Sequence, residues 1–239
     1  MPVVEATVAD GHAWCAAALY APVPRPLWRV WLYRSPEIVL GCSQRALRDQ
    51  VAHRAPAGMA VSVRASGGGA VLAGPWMVGV TVVLPPDHRL LGEGLSDSYR
   101  WLGQLHVALL REAGIDARAL EPQVARAPQR DAAAAPVRWA CFGGLSAWEV
   151  VDADDRKVTG LAQQRRRTGI AYSAGTLVAR CDWTVLCDAL GEPADAARLA
   201  ARTIACADAR GAVQRSPSGW AQRIDAALAA ALDPPPTGS

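Results

Sequence analysis

Trp148-Glu149-Val150-Val151-Asp152-Ala153-Asp154-Asp155-Arg156-Lys157-Val158-Thr159-Gly160-Leu161-Ala162-Gln163 is the stretch on which the fold turns. Two β-favouring segments flank an Asp-rich middle, the pattern of a chain reversing between strands, so a hairpin is expected. Period-two alternation in the second arm puts Lys157, Thr159, Leu161 and Gln163 on one face and Val158, Gly160 and Ala162 on the other. Three polar groups then point the same way, which fits a site and fits a solvated face equally. Lys157 is the only lysine among the 25 Lys plus Arg residues. In so arginine-rich a chain, a lone lysine marks a place where a compact ammonium on a flexible stem fits and a planar guanidinium does not.

Working outward, Arg64-Ala65-Ser66-Gly67-Gly68-Gly69-Ala70-Val71-Leu72 removes three successive Cβ atoms from a short loop. Such a loop permits positive φ and close approach of another molecule to the backbone. Its amides can cradle an anion, with Arg64 as a charged partner. No Walker-type lysine follows, and the spacing is not that of a dinucleotide fingerprint. The apolar run Met77 to Leu84 that comes next reads as a buried strand, so the loop is expected to line a pocket.

These two segments, in this order and about 90 residues apart, resemble the lipoate-protein ligase and octanoyltransferase family, relatives of biotin protein ligase. Arg64 to Val71 follows its R-x-S-G-G-G-A-V loop, Arg156 to Gln163 its R-K-x-x-G-x-A-Q strand, and Gly175-Thr176-Leu177 its G-T-L strand. An early strand pair, Trp28 to Tyr33 and Glu37 to Gln44, also sits where the family places it, so the resemblance spans most of residues 10 to 210. It implies an α+β fold, a mixed, largely antiparallel sheet flanked by helices, enclosing a tunnel for a medium-chain acyl group. It further implies Lys157 as the catalytic cation, stabilising negative charge where it develops. Arg64, Ser66, Gly67, Gly68, Gly69, Ala70, Thr159, Gly160, Ala162, Gln163 and Gly175 are the implied substrate-binding residues; no metal-ligating side chain is implied.

Cys141 bears on which reaction is run. Cys141-Phe142-Gly143-Gly144-Leu145-Ser146-Ala147-Trp148-Glu149 resembles the C-F-x-x-x-S-x-aromatic-E segment of octanoyltransferases that carry the acyl group on that cysteine, whereas ligases more often have Arg-Asn-Asp before this strand. A thiolate is a competent acyl acceptor, although free cysteines are commonly plain buried residues. Two family histidines are missing: Leu72-Ala73-Gly74 follows the glycine loop, and Ala174 precedes Gly175. His12, His53, His88 and His106 lie in no motif, which leaves the general base unassigned.

The reading put first is therefore ATP-dependent ligation of lipoate or octanoate through an acyl-adenylate, with Mg²⁺ at the phosphates. The alternatives are cofactor-free octanoyl or amide transfer through a Cys141 thioester, and acyl binding without turnover. Expected partners are a lipoyl carrier domain or a glycine-cleavage H-like protein as acceptor and an acyl carrier protein as donor.

At 239 residues and 51% hydrophobic content, one domain over 1–232 with a disordered tail at 233–239 is expected. A net charge of +3 gives no reason to propose nucleic acid. Arg165-Arg166-Arg167 reads as a solvated hairpin tip that would also suit an acidic carrier domain. No secretory leader and no run of membrane-spanning length is read, and six cysteines without a C-x-x-C argue for a reducing cytoplasm. Helices are expected from His12, over Ser96 to Ala113 closed by Gly114, and through Trp220, Ile224 and Leu228 with Ser218 as cap. Pro122 to Pro136 reads as a mobile loop.

Overall fold

The computed structural model describes residues 3–125 and 135–232. Along the chain run β1 (Val3–Ala6), α1 (Val8–Ala18), β2 (Leu27–Tyr33), β3 (Glu37–Leu40), α2 (Arg48–Arg54), β4 (Ala60–Val63), β5 (Val71–Ala73), β6 (Met77–Leu84), α3 (Arg100–Glu112), β7 (Ala117–Ala119) and α4 (Pro122–Ala125). β8 (Val150–Asp152), β9 (Lys157–Arg166), β10 (Gly169–Leu177), α5 (Trp183–Leu190), α6 (Ala196–Ala201) and α7 (Pro217–Leu232) follow. One sheet has seven strands in the order β1-β2-β6-β10-β9-β8-β7, the other three in the order β4-β3-β5. Only β1 with β2 and β3 with β4 are parallel, so the sheet is mixed and largely antiparallel, as the resemblance implies.

β6 is buried along its whole length because β2 and β10 pair with its two edges and other elements cover both faces. Its Val78, Val80, Val82 and Leu84 pack with Leu102, Leu109 and Leu110 of α3 and Trp220, Ile224 and Leu228 of α7. The opposite face looks toward a second core, where Ile38, Leu40 and Leu72 of the small sheet meet Phe142, Leu177, Trp183 and Leu186. The helix expected over Ser96 to Ala113 begins with one 3₁₀ turn and ends where Gly114 turns left-handed at φ 81°.

Four local expectations change. The early strands do not pair: β2 joins the large sheet and β3 the small one, and residues 42–47 form a 3₁₀ turn. α1 starts at Val8, ahead of His12, because Thr7 and Asp10 form a capping box in which each side chain accepts from the other's amide, at 3.2 and 2.9 Å. Ser216, not Ser218, caps α7, its hydroxyl accepting from the Gly219 amide at 3.1 Å with Pro217 in the first helical position. The loop expected over 122–136 opens with the helical turn α4; residues 126–134, like the tail 233–239, lie outside the described residues.

Candidate active site

The hairpin forms as read, β8 and β9 joined by a turn in which Asp155 is left-handed at φ 61° and the Asp152 carboxylate accepts from the Asp154 and Arg156 amides at 3.1 and 2.8 Å. Arg156 is spent on the same carboxylate, at 2.9 and 2.6 Å. The alternation predicted for β9 breaks at one point. Val150 faces Thr159 but Val151 faces Lys157, so Val158 is an extra residue, a bulge. Thr159 keeps to the helix side of the sheet, fully buried, its hydroxyl 2.9 Å from that of Thr176. Lys157 is thrown to the other side. Its stem crosses Gly160, its Cε 3.3 Å from where a Cβ on that glycine would stand.

That crossing explains a glycine three residues after the lysine: a side chain at position 160 would press on the lysine. Glycines also align across three strands, because Gly175 of β10 pairs with Gly160 of β9 and with Gly79 of β6. A Cβ at Gly79 would stand 2.1 Å from the Tyr33 hydroxyl oxygen, and one at Gly175 2.9 Å from the Met77 sulfur. The next row is also small, Ala162, Ser173 and Thr81. This bare strip is the floor of a cavity of about 310 Å³, at the small end of the ligand-pocket range of about 300–1,000 Å³. Its wall takes Val8, Gly11, His12 and Cys15 from one stripe of α1, Val39, Val63 and Val71 from the small sheet, and Cys141 and Phe142 from the loop before β8.

Lys157 stands behind that wall. Its Nζ is 2.5 Å from Glu149 Oε1 and donates to the carbonyl oxygens of Cys141 at 2.7 Å and Gly144 at 3.1 Å, so its three N–H groups have three acceptors. Lysine and glutamate are 1% and 3% exposed, an ion pair shut off from solvent. Trp148, left-handed at φ 66°, turns the chain immediately before Glu149. Burial pushes the Glu149 carboxyl up, and the Lys157 ammonium and the Leu161 and Ser146 amides oppose that. The lysine thereby grips the segment that carries Cys141 from below.

The glycine loop is also committed to structure. The Arg64 guanidinium donates to the carbonyls of Gly67 at 2.9 Å and Gly69 at 2.7 Å, closing the loop on itself rather than standing free for an anion. The close approach that three glycines permit goes to the protein's own backbone: a Cβ on Gly69 would fall 2.4 Å from the Trp139 carbonyl oxygen. Next to it the Ala70 amide donates to Trp139 and the Ala70 carbonyl accepts from the Cys141 amide, both at 2.7 Å. The loop therefore fixes Cys141 from above.

Of the residues singled out in the sequence, Cys141, Arg64, Ser66, Gly160, Ala162 and Gly175 lie on the cavity wall. Gly67, Gly69, Ala70 and Lys157 hold that wall from outside and Gly68 turns left-handed at φ 93° between the first two, while Thr159 and Gln163 face away, Gln163 donating to the Leu95 carbonyl at 3.2 Å. Gln164 and Arg166, one step out of register, reach the cavity instead. The α1 stripe and Tyr33 were missed. The Thr7-x-x-Asp10 box signals where α1 begins, and from there Val8, Gly11, His12 and Cys15 fall on one helical face.

The sheet has a glycine floor, with a half-buried cysteine on the wall of an apolar cavity and a caged lysine beneath it; its family match classes the chain as an acyl-handling enzyme of the lipoylation type. The chain belongs to the family described as "Lipoyl protein ligase A/B catalytic domain", whose pattern matches residues 13–210. It is 28% identical over 218 residues to the octanoyltransferase LipM of Kyrpidia tusciae, covering 87% of this chain and 78% of that one. In fold it is similar to a bipartite lipoate protein ligase from Thermoplasma acidophilum, solved in a study of that ligase and its E2 lipoyl domain (TM-score 0.69, 17% identity, 97% of this chain and 82% of that one). It is also similar to a lipoate-protein ligase A bound with ATP (TM-score 0.64, 16% identity, 97% and 83% covered). No described helix is long and apolar enough to cross a membrane.

Proposed function

We propose that this enzyme transfers an octanoyl or lipoyl group to the acceptor lysine of a lipoyl carrier domain through a thioester on Cys141. The observation that carries the reading is the placement of Cys141: on the wall of the apolar cavity, its amide tied to the glycine loop and its carbonyl to Lys157. The likeness to an octanoyltransferase supports it. In the first step the Cys141 sulfur attacks the acyl carbonyl of a carrier thioester, the new C–S bond forming as the old one breaks and the carrier leaves as a thiol. In the second, the acceptor amine displaces Cys141, giving the amide and restoring the thiol. Lys157 acts in both through the segment it holds, keeping the sulfur at the cavity rim.

The ATP-dependent reading that the sequence puts first finds less support in the side chains. Magnesium bound with nucleotide phosphates normally takes one or two protein carboxylates. Among the described residues no cavity-lining side chain carries one, and Glu149, buried beneath the wall, is paired with Lys157. Arg64, the cation beside the glycine loop, is occupied by that loop's own carbonyls. The residues fit Mg²⁺ and a nucleotide poorly.

Intact-mass measurement tests the choice. Given an octanoyl-carrier donor and an unmodified lipoyl domain without ATP, the protein should move octanoate to the domain and show an octanoyl adduct at Cys141, and Cys141→Ser should do neither. Modification that needs ATP and free acid and survives Cys141→Ser would overturn the proposal in favour of ligation.

A further inference from the structure

The charges of this chain are segregated. Residues 11–36, 50–86 and 157–181, which include most of α1 and all of β2, β4, β5, β6, β9 and β10, hold ten of the 25 Lys and Arg residues and none of the 22 Asp and Glu. The same segments supply most of the cavity wall. Three of those cations are committed within the protein: Lys157 to Glu149, Arg64 to the glycine loop and Arg180 to Asp208. At the outer end of β9 the position is different. Arg165, Arg166 and Arg167 are all exposed, and among the described residues none of them is ion-paired with a carboxylate. Like charges held together repel, so this cluster does nothing for the fold.

The cluster is nonetheless held in place. The Thr168 hydroxyl donates to the Leu19 carbonyl at 2.6 Å and the Val23 amide to the Thr168 carbonyl at 2.8 Å, so the turn between β9 and β10 is tied to the end of α1 and the chain that follows it. Val23 packs so closely on Gly169 that a Cβ on that glycine would stand 2.6 Å from its side chain. This junction sets Tyr20, the residue after Leu19, next to the arginine turn, where it is 90% exposed. Arg25, exposed two residues beyond Val23, and Arg29, stacked over Trp14 of α1 at 5.4 Å, add two more cations without a carboxylate partner among the described residues. The cavity meets solvent on the same side. Of the residues that line it, the exposed ones are Ala16 of α1, Ala65 before the glycines and Arg166.

We propose that Tyr20 with Arg165, Arg166 and Arg167, flanked by Arg25 and Arg29, is the docking surface for the acceptor domain, and that it recognises a face of that domain rich in aspartate and glutamate. This rests on the reading of a lipoyl carrier domain as acceptor and does not require the thioester. The acceptor's own lysine is a cation that arginines repel, so the attraction has to come from carboxylates elsewhere on the carrier. An exposed tyrosine set among arginines has the composition of an interface anchor. The dimensions agree. A standard interface covers about 800 Å² on each partner, roughly 30 Å across. Gly160 to Arg166 along β9 is roughly 20 Å at about 3.3 Å per residue, so one small domain can rest on the arginine turn and still cover the cavity opening. A net charge of +3 over the whole chain favours a folded acidic partner over a polyanion such as nucleic acid.

The experiment measures binding of an unmodified lipoyl domain by calorimetry at several NaCl concentrations. It compares wild type with Arg165→Glu/Arg167→Glu, with Arg165→Lys/Arg167→Lys and with Tyr20→Ser. Wild-type affinity should fall as salt screens the charges. The Glu variant should bind about tenfold or more weakly at low salt and lose most of the salt dependence, because like charges then face each other. The Lys variant keeps the charge and should bind nearly as wild type does, which separates lost attraction from lost folding. Tyr20→Ser should weaken binding with the salt dependence intact. In octanoyl transfer the Glu variant should raise KM for the lipoyl domain far more than it lowers kcat. Equal affinity and equal salt dependence in wild type and the Glu variant, or no measurable binding by wild type, would overturn the proposal. So would tighter, arginine-dependent binding of duplex DNA or of phosphatidylglycerol vesicles. If octanoyl-pantetheine leaves no adduct on Cys141 of the wild type while arginine-dependent binding of the lipoyl domain persists, the thioester reading fails and the docking surface stands.

Discussion

Neighbouring residues of one strand face opposite demands. On β6, Val78 and Val82 pack with α3 and α7 and fill that side, whereas Gly79 and Thr81 lie on the rows that floor the cavity. The helix side is packed with large branched side chains because nothing has to enter it. The cavity side is stripped to glycine, alanine and serine over three strands because something does. Polar groups follow the same division. His106, on the helix side, is bonded through Nδ1 to Thr176 at 3.3 Å while its Nε2 has no partner, so it can exchange nothing with solvent or ligand. Lys157 and Glu149 are equally buried but support a wall with a thiol on its other side.

The sharpest way to test the division is to break that pair. Removing one partner of a buried ion pair leaves the other as an uncompensated charge, at a cost of about 3–5 kcal/mol. Lys157→Met should lower stability by that amount in urea unfolding and abolish octanoyl transfer. Lys157→Met with Glu149→Gln should regain much of the stability without the activity, because the carbonyls of Cys141 and Gly144 still lack their donor. Equal stability of the single and double variants would show that the pair does not organise the Cys141 segment. Lys157→Arg tests the sequence argument directly: the planar fork has to fit where a stem lies across Gly160, and wild-type transfer by this variant would break the reading of the lone lysine.

The hairpin, the glycine loop, the central strand, α3 and the family were legible because each writes itself into consecutive residues. What was not legible depends on tertiary register. The bulge at Val158 has no residue-type signature, yet it reverses Lys157 relative to Thr159 and moves the cavity face from Gln163 to Gln164. That Arg64 closes its own loop depends on where the Gly67 and Gly69 carbonyls point, which the triple glycine leaves open. His12 stands outside every motif; only the packing of α1 across the small-residue strip brings it to the cavity wall.

A second prediction concerns the sealed side. Burial lowers the His106 pKa to about 4, against 6.5 for the exposed ring. The unfolded chain therefore takes up a proton that the folded one refuses as pH falls through this window. Stability should be unaffected by His106 above pH 6.5 and should decline between 6.5 and about 4, by on the order of 3 kcal/mol at one unit per about 1.4 kcal/mol. His106→Leu should remove that part of the slope in a pH series of urea melts, leaving transfer near neutrality unchanged. A slope that survives intact would place a protonatable or solvated His106 inside the helix-side core and erase the contrast with the cavity face.

The smallest effect comes from two adjacent residues, and it separates the faces most directly. Gly79→Ala puts a methyl where the Tyr33 hydroxyl now lies, 2.1 Å from its oxygen, so the tyrosine must swing along the cavity wall. Overpacking of this kind costs about 1–3 kcal/mol, and the displaced ring takes up space an acyl chain would use. Val78→Ala, one residue before, removes two methyls from the packed side and costs a similar amount, at about 0.8 kcal/mol per buried methylene plus the cavity it leaves. Comparable losses in unfolding free energy are thus expected from both. Their catalytic effects should differ: Gly79→Ala should raise KM for the octanoyl donor or favour a shorter acyl chain, and Val78→Ala should leave chain-length preference at the wild-type pattern. If both variants shift that preference alike, the two faces are mechanically coupled through β6, and the division between a packed side and an emptied side is not one of function.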